Sequence, residues 1–435
     1  MVVLHILIVL AAIVLGARLG SIAIGFAGGL GVLALAVTGL NVTMEDIPFD
    51  VIAIIMCVIA AISAMQRAGG MDYLVHIAER ALRKNPKQIT FFAPVVTWLM
   101  TVLAGTGHTA FSTMPVIVEV AKEGGVRPSR PLSIAVVASQ MAICASPISA
   151  AVVALAAMTE PLGVGYLQVL AVMIPATFLS IFPAAWLSNH LGKDLEYDPI
   201  YQERMKAGQV KPPIGQTEFK IQPGAKASVI IFGIAILIVM VYASLISEQV
   251  GLIAEPTLPR NEAIMAVMLT AATIIVLVAK IPAADILGTQ VFRSGMSACI
   301  CVLGVAWLGT TLINAYIEDI QSLSGGILEK FPWLLAVVLF FAAALLYSQA
   351  STTKTLMPAA LALGVSPLTA IAAFPAVSAL FVLPTYPTLL AAVEMDDTGS
   401  TRIGKAVFNH PFLIPGVVSI ACSVLLGYLL GAVIV

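Results

Sequence analysis

Charge is what this chain has least of. Only 10% of its 435 residues are Asp, Glu, Lys or Arg, against about 25% in an ordinary soluble domain. With a net charge of −1, no nucleic-acid partner is implied. Cysteine is also scarce. The five cysteines, Cys57, Cys144, Cys299, Cys301 and Cys422, all fall in apolar stretches. No paired C-x-x-C is present, so they read as buried structural thiols, and neither a metal nor a cofactor is expected. H-E-x-x-H and G-x-S-x-G are missing as well. Ser112 and His108, the nearest approach to a nucleophile and a base, lack an acid partner, which argues against a membrane enzyme. The apolar run from Leu4 has no basic segment before it and no convincing cleavage site, so it reads as a first spanning helix.

What fills the chain instead is apolar sequence, 60% of it hydrophobic. A hydrocarbon core of about 30 Å needs about 20 apolar residues per helical crossing. Ten stretches are candidates: 3–20, 21–40, 48–66, 131–158, 165–188, 227–246, 262–280, 292–313, 367–394 and 410–433. Two others, 89–121 and 332–364, are interrupted in the middle by polar residues. Their length is short for two full crossings, so re-entrant hairpins are expected there. The expected fold is an all-α polytopic membrane protein in contact with lipid.

Basic residues orient it. With both termini outside and both hairpins re-entrant, 19 of 22 Lys and Arg residues fall on the inner side, Arg293 among them. The exceptions are Arg260 and Lys330 outside and Lys354 at membrane depth. The positive-inside rule selects this arrangement.

The same layout repeats. Residues 1–190 give three spans, a hairpin, an interrupted span and a further span; residues 227–435 give that order from the opposite side. A polar linker, 191–226, joins them on the inner side. Each hairpin ends in Met-Pro, and each following span is broken by proline, at Ala145-Ser-Pro-Ile-Ser149 and Leu383-Pro-Thr-Tyr-Pro-Thr388. Paired broken elements in inverted repeats point to a midplane binding site.

Four elements supply its candidate residues. The first tip offers Gly105, Thr106, Gly107, His108 and Thr109, and the first break Ser146, Pro147 and Ser149. The second tip offers Ser348, Gln349, Ser351, Thr352 and Lys354, and the second break Pro384, Thr385, Tyr386 and Thr388. Hydroxyls, the amide ends of restarted helices and one ammonium suit a small molecule with a carboxylate at each end. Lys354 is expected to be the main cationic contact. The inner turn holding Asp396, Asp397 and Thr398 reads as a solvated loop, a gate or a docking surface.

Several blocks resemble the anaerobic C4-dicarboxylate transporters of the Dcu type. They include Gly16-Ala-Arg-Leu-Gly20, Ile47-Pro-Phe-Asp-Val51, Ala60-Ala-Ile-Ser-Ala-Met-Gln66 and Ser146-Pro-Ile-Ser-Ala-Ala-Val152. Gly295-Met-Ser-Ala-Cys-Ile-Cys301, Leu346-Tyr-Ser-Gln-Ala350, Leu383-Pro-Thr-Tyr-Pro-Thr-Leu389, Met395-Asp-Asp-Thr-Gly399 and Asn409-His-Pro-Phe412 extend the likeness over essentially the whole chain. The resemblance implies exchange of fumarate, succinate, malate and aspartate across a bacterial inner membrane during anaerobic growth. It implies kinship with elevator-type carriers built on paired hairpins. Sodium-coupled members of that group carry Ser-Asn-Thr at the tips, whereas this chain has Gly105-Thr-Gly and Ser348-Gln-Ala, which favours antiport over cation coupling. A sensor kinase is a further partner the resemblance implies, with Asp396, Asp397 and Thr398 as its surface. The oligomeric state, a homo-oligomer included, is left open.

Overall fold

The computed structural model describes residues 1–19, 22–47, 49–210, 221–246, 252–253, 255–316, 330–384, 386–404 and 408–435. Among them the secondary structure is entirely helical, without a strand. Seven helices are long and apolar enough to cross a membrane, or eight if one bent pair is counted. Of the ten spans expected, 3–20 and 21–40 occur as α1 (Val2–Leu19) and α2 (Ala23–Val37), whose apolar parts are shorter. A 15-residue helix such as α2 rises about 22 Å, less than the hydrocarbon thickness.

The bent pair is not one that the sequence pattern marks. α3 (Phe49–Arg67) turns by 73° into α4 (Gly70–Arg83), where only a loop was expected. Helix α4 is amphipathic: Met71, Ala78 and Leu82 are buried, while Arg80 remains exposed. Its register, with apolar positions seven and four apart, is that of a helix with one face against protein.

The helices can be described as two bodies. One contains α5 (Ile89–Ala104), α6 (Ala110–Glu123), α7 (Ser129–Met141), α8 (Ala150–Thr159) and α9 (Tyr166–Asn189). A short linker helix, α10 (Pro199–Lys206), follows on the polar connection, part of which, 211–220, lies outside the described residues. The second body contains α1 to α4 with α11 (Ala225–Leu245), α12 (Arg260–Ala279) and α13 (Gln290–Ala315). The chain then returns to the first body as α14 (Leu334–Leu346), α15 (Gln349–Ala362), α16 (Pro367–Ala373), α17 (Pro387–Met395) and α18 (Leu413–Ile434).

The apolar core falls into three clusters. The largest lies mainly in the first body, running from Ile89 through Tyr166, Phe374 and Phe381 to Phe412, and takes in Leu82 of α4 and Ala243 of α11 from the second. A second cluster around Ile62, Met65, Phe232 and Met268 also takes in Met100 and Ala104 of α5 and Val153 of α8, and a smaller one surrounds Leu35 and Leu308. α2 and α13 touch backbone to backbone: a Cβ on Gly304 would lie 2.0 Å from the carbonyl oxygen of Gly25, so only glycine fits. Facing away from these clusters, Leu237, Val241, Leu277 and Val278 of α11 and α12 are exposed. An exterior this apolar is matched to acyl chains rather than water.

Candidate functional site

The first tip is made by the way α5 stops. Gly105 caps it in the left-handed region (φ +67°) and donates its N–H to Thr101. A residue with a Cβ is strained in that region. A 3-10 turn, Gly107–Thr109, then leads into α6, and Thr109 holds the turn by hydroxyl contact with Thr101 (2.9 Å). The second tip does the same with a costlier residue. Tyr347 ends α14 at φ +54°, after which Ser348 is extended and accepts the N–H of Ser351 at 3.2 Å as the cap of α15.

The breaks follow proline chemistry. α7 ends in a 3-10 segment, Ala142–Ala145, and Ser146 and Ser149 are extended before α8 starts. Ser149 caps α8 by accepting the N–H of Val152 (3.3 Å), and Ser146 donates to the carbonyl of Val102 (2.7 Å), tying the break to the first hairpin. Tyr166 donates its hydroxyl to the carbonyl of Pro147. In the other half a 3-10 segment, Phe374–Phe381, follows α16, and Tyr386 is extended ahead of Pro387, the first residue of α17. Thr385 lies outside the described residues.

A cavity of about 460 Å³ opens where these pieces meet, within the range of about 300–1,000 Å³ usual for small-molecule sites. From the first body it is lined by Gly105, Thr106, Gly107, Ser348, Gln349 and Tyr386. The first residues of three helices also face it: Ala150 and Ala151 of α8, Gln349 and Ala350 of α15, and Pro387 of α17. At α8 and α15 the N–H groups of the first turn have no partner inside their helix, and the aligned dipoles of all three starts favour an anion; Pro387 itself has no N–H. Tyr347 and Tyr386 stack at 6.2 Å between ring centroids and form one wall. The opposite wall comes from the second body: Ile55, Val58 and Ile59 of α3, and Arg293, Gly295, Ser297 and Cys301 of α13.

Other predicted residues stand behind this lining. Ser146, Pro147, Ser149, Ser351, Thr352 and Thr388 are buried in the first body and do not line the cavity. Thr109 lines a separate, apolar cavity of about 90 Å³. His108 belongs to the 3-10 turn, and Pro384, just before the second restart, is not among the described lining residues. Lys354 also stands apart from the cavity, its ammonium paired with Asp50 of α3.

Two groups carry weight that the sequence pattern did not assign. Gln140 joins the pieces: its carbonyl accepts from Gln349 (3.4 Å) and Ser378 (3.1 Å), and its amide donates to Thr388 (3.4 Å). Arg293, counted in the sequence only among the inner basic residues at the start of the span 292–313, sits on the first turn of α13 and faces the cavity. It is the one charged residue among the described residues of the lining.

The turn at 396–401 is built around a buried carboxylate. Asp396 accepts from the Thr398 hydroxyl (2.5 Å), the Ser400 hydroxyl (2.8 Å) and the Thr401 N–H (2.6 Å). Asp397 pairs with Lys122 at 3.1 Å, and its carbonyl accepts from Arg204. Burial alone would lower the Lys122 ammonium, but Glu119 and Asp397 outweigh it and hold its pKa above the usual value. Thus this segment is a locked turn more than a solvated loop.

An all-helical, lipid-matched exterior around a cavity that meets helix breaks and tips marks a multi-pass membrane transporter. The profile of the family described as "Anaerobic c4-dicarboxylate membrane transporter" matches residues 1–435. The chain belongs to this bacterial family, DcuA/DcuB, and is a transporter, not an enzyme. It is 62% identical over 434 residues to the "C4-dicarboxylate transporter DcuA" of Wolinella succinogenes, covering 100% of both chains. To the protein of the same name from Escherichia coli (strain K12) it is 55% identical over 433 residues, 99% of each. To the "Anaerobic C4-dicarboxylate transporter DcuB" of Escherichia coli O6:H1 it is 35% identical over 438 residues, 98% of each.

Proposed function

We propose that this protein exchanges C4-dicarboxylates, with fumarate, succinate, malate and aspartate as its substrate class, across the bacterial inner membrane by alternating access. The observation that carries the reading is the cavity itself, whose described lining combines three helix starts, one guanidinium and no carboxylate. A dicarboxylate satisfies the free N–H groups at one end and the guanidinium at the other. Exchange rather than net flux follows from the cost of an empty crossing. Each unsatisfied polar group taken through apolar surroundings costs about 1–3 kcal/mol, and a bound carboxylate removes that cost.

The finer architecture goes with it: two inverted repeats, ten spans, two re-entrant hairpins and both termini periplasmic. The body that holds both tips and both breaks is the moving one, and α1–α4 with α11–α13 form the scaffold. The division is supported by the cavity, whose lining comes from the tips and restarted helices on one side and from α3 and α13 on the other. Purified protein in liposomes preloaded with succinate is expected to take up labelled succinate much faster than unloaded liposomes. Equal accumulation by unloaded vesicles under a sodium gradient would overturn exchange in favour of cation coupling.

A further inference from the structure

We infer that Arg293 is a loading residue for one face only: it holds a substrate carboxylate while the cavity faces the cytoplasm and is left behind when the tips move. The inference rests on the exchange reading and assigns the residue that distinguishes a dicarboxylate from a monocarboxylate on that face.

Arg293 differs from six other arginines. Arg67, Arg83, Arg127, Arg130, Arg260 and Arg402 each meet an Asp or Glu within ion-pair distance. Arg293 meets none among the described residues, although it is exposed on a wall of the cavity. A guanidinium presents a planar fork that matches a carboxylate with two parallel hydrogen bonds. It faces a space whose other polar groups, Thr106, Ser297, Ser348 and Gln349, are uncharged.

Position supplies the rest. Arg293 is in the first turn of α13, and Cys301, which also lines the cavity, is eight residues further along. At 1.5 Å per residue that is about 12 Å along the helix, so the cavity runs from the end of the scaffold helix inward to the tips. The distribution of basic residues puts that end of α13 at the cytoplasm. The helix starts at Ala150, Gln349 and Pro387 belong to the other body and travel with the tips. Recognition is therefore divided: uncharged donors accompany the substrate, and the single cation stays with the scaffold.

Arg293→Gln, Arg293→Lys and the parent protein, reconstituted in one orientation, test this. Exchange of labelled succinate is measured with the varied substrate on either face and the opposite face saturated. For Arg293→Gln the cytoplasmic KM is expected to rise about tenfold or more, the scale of a lost charge-assisted hydrogen bond. The periplasmic KM should shift less than about twofold on this scale, and Arg293→Lys should recover part of the cytoplasmic loss. Inhibition by butyrate, a four-carbon monocarboxylate, should weaken less than inhibition by succinate in Arg293→Gln on the cytoplasmic face. An equal rise of KM on both faces, or no rise on either in a monodisperse variant, would overturn the assignment. Failure of the parent protein to exchange succinate would instead overturn the exchange reading, so the two failures are distinguishable.

Discussion

Tyr347 concentrates the tension between backbone and site. It sits at φ +54°, a region costing an L-residue about 1–2 kcal/mol, yet its ring stacks on Tyr386 and walls the cavity. Glycine would relax the backbone and lose the ring; alanine would lose the ring and keep the strain. Tyr347→Gly is therefore expected to melt higher than Tyr347→Ala, by an amount worth about 1 kcal/mol, while both weaken succinate binding. Thermal unfolding in detergent, read beside succinate affinity, checks the order. A higher melting temperature for the alanine variant would remove the strained turn from the account. Residues of this kind are poorly legible from sequence, because nothing in Leu346-Tyr-Ser-Gln-Ala350 announces a positive φ.

At the level of elements, the helix ends and breaks were legible because their signals are local. Glycine, proline and hydroxyl residues interrupt long apolar runs at Gly105, Pro147, Ser348 and Pro384, and each interruption coincides with the end or restart of a helix. Helix α4 was not legible as such, since its charged residues resemble an inner loop until its buried face is seen. The linker shows the same limit. Asp198 caps α10 by accepting the N–H of Ile200 (2.9 Å) and pairs with Arg127 at 2.5 Å and Arg402 at 3.4 Å. Burial alone would raise its carboxyl, but Arg127, the Ile200 N–H and Arg402 outweigh it and hold the pKa below the usual carboxylate value. The sign of the linkage follows. A depressed folded-state pKa contributes stability that is fully present above the unfolded value, about 3.9, and is lost as pH falls through the folded value. Asp198→Asn should destabilise the protein at neutral pH, by about 3–5 kcal/mol where a buried pair is broken. The gap to the parent should shrink as pH drops below about 4. A gap independent of pH in thermal unfolding would show that the charge on Asp198 is not what holds the linker.

For the whole molecule, the proposal is that two bodies slide, and contacts between them should break in each cycle. Lys354 of α15 and Asp50 of α3 bridge the bodies, as do Glu160 and Arg260, 2.8 Å apart. With the five native cysteines replaced, cysteines at positions 50 and 354 joined by a short bifunctional thiol reagent should abolish succinate exchange. Either single cysteine with the same reagent should remain active. Full exchange by the cross-linked protein, with the link verified on a gel, would rule out relative motion at that contact.

Composition alone determined that this is a membrane protein: with one residue in ten charged, the chain cannot cover itself with a hydrated surface. Periodic interruption of apolar runs determined where helices stop, because proline and glycine act on the backbone next to them. The partners of the charges were decided only by the tertiary structure. Lys354, the lone cation at membrane depth in the sequence, found Asp50, 304 positions away. Arg293, one of many inner basic residues in the sequence, was left facing the cavity. A charge in an apolar setting takes whatever counterion folding brings within a few ångströms, and sequence separation carries no information about that distance.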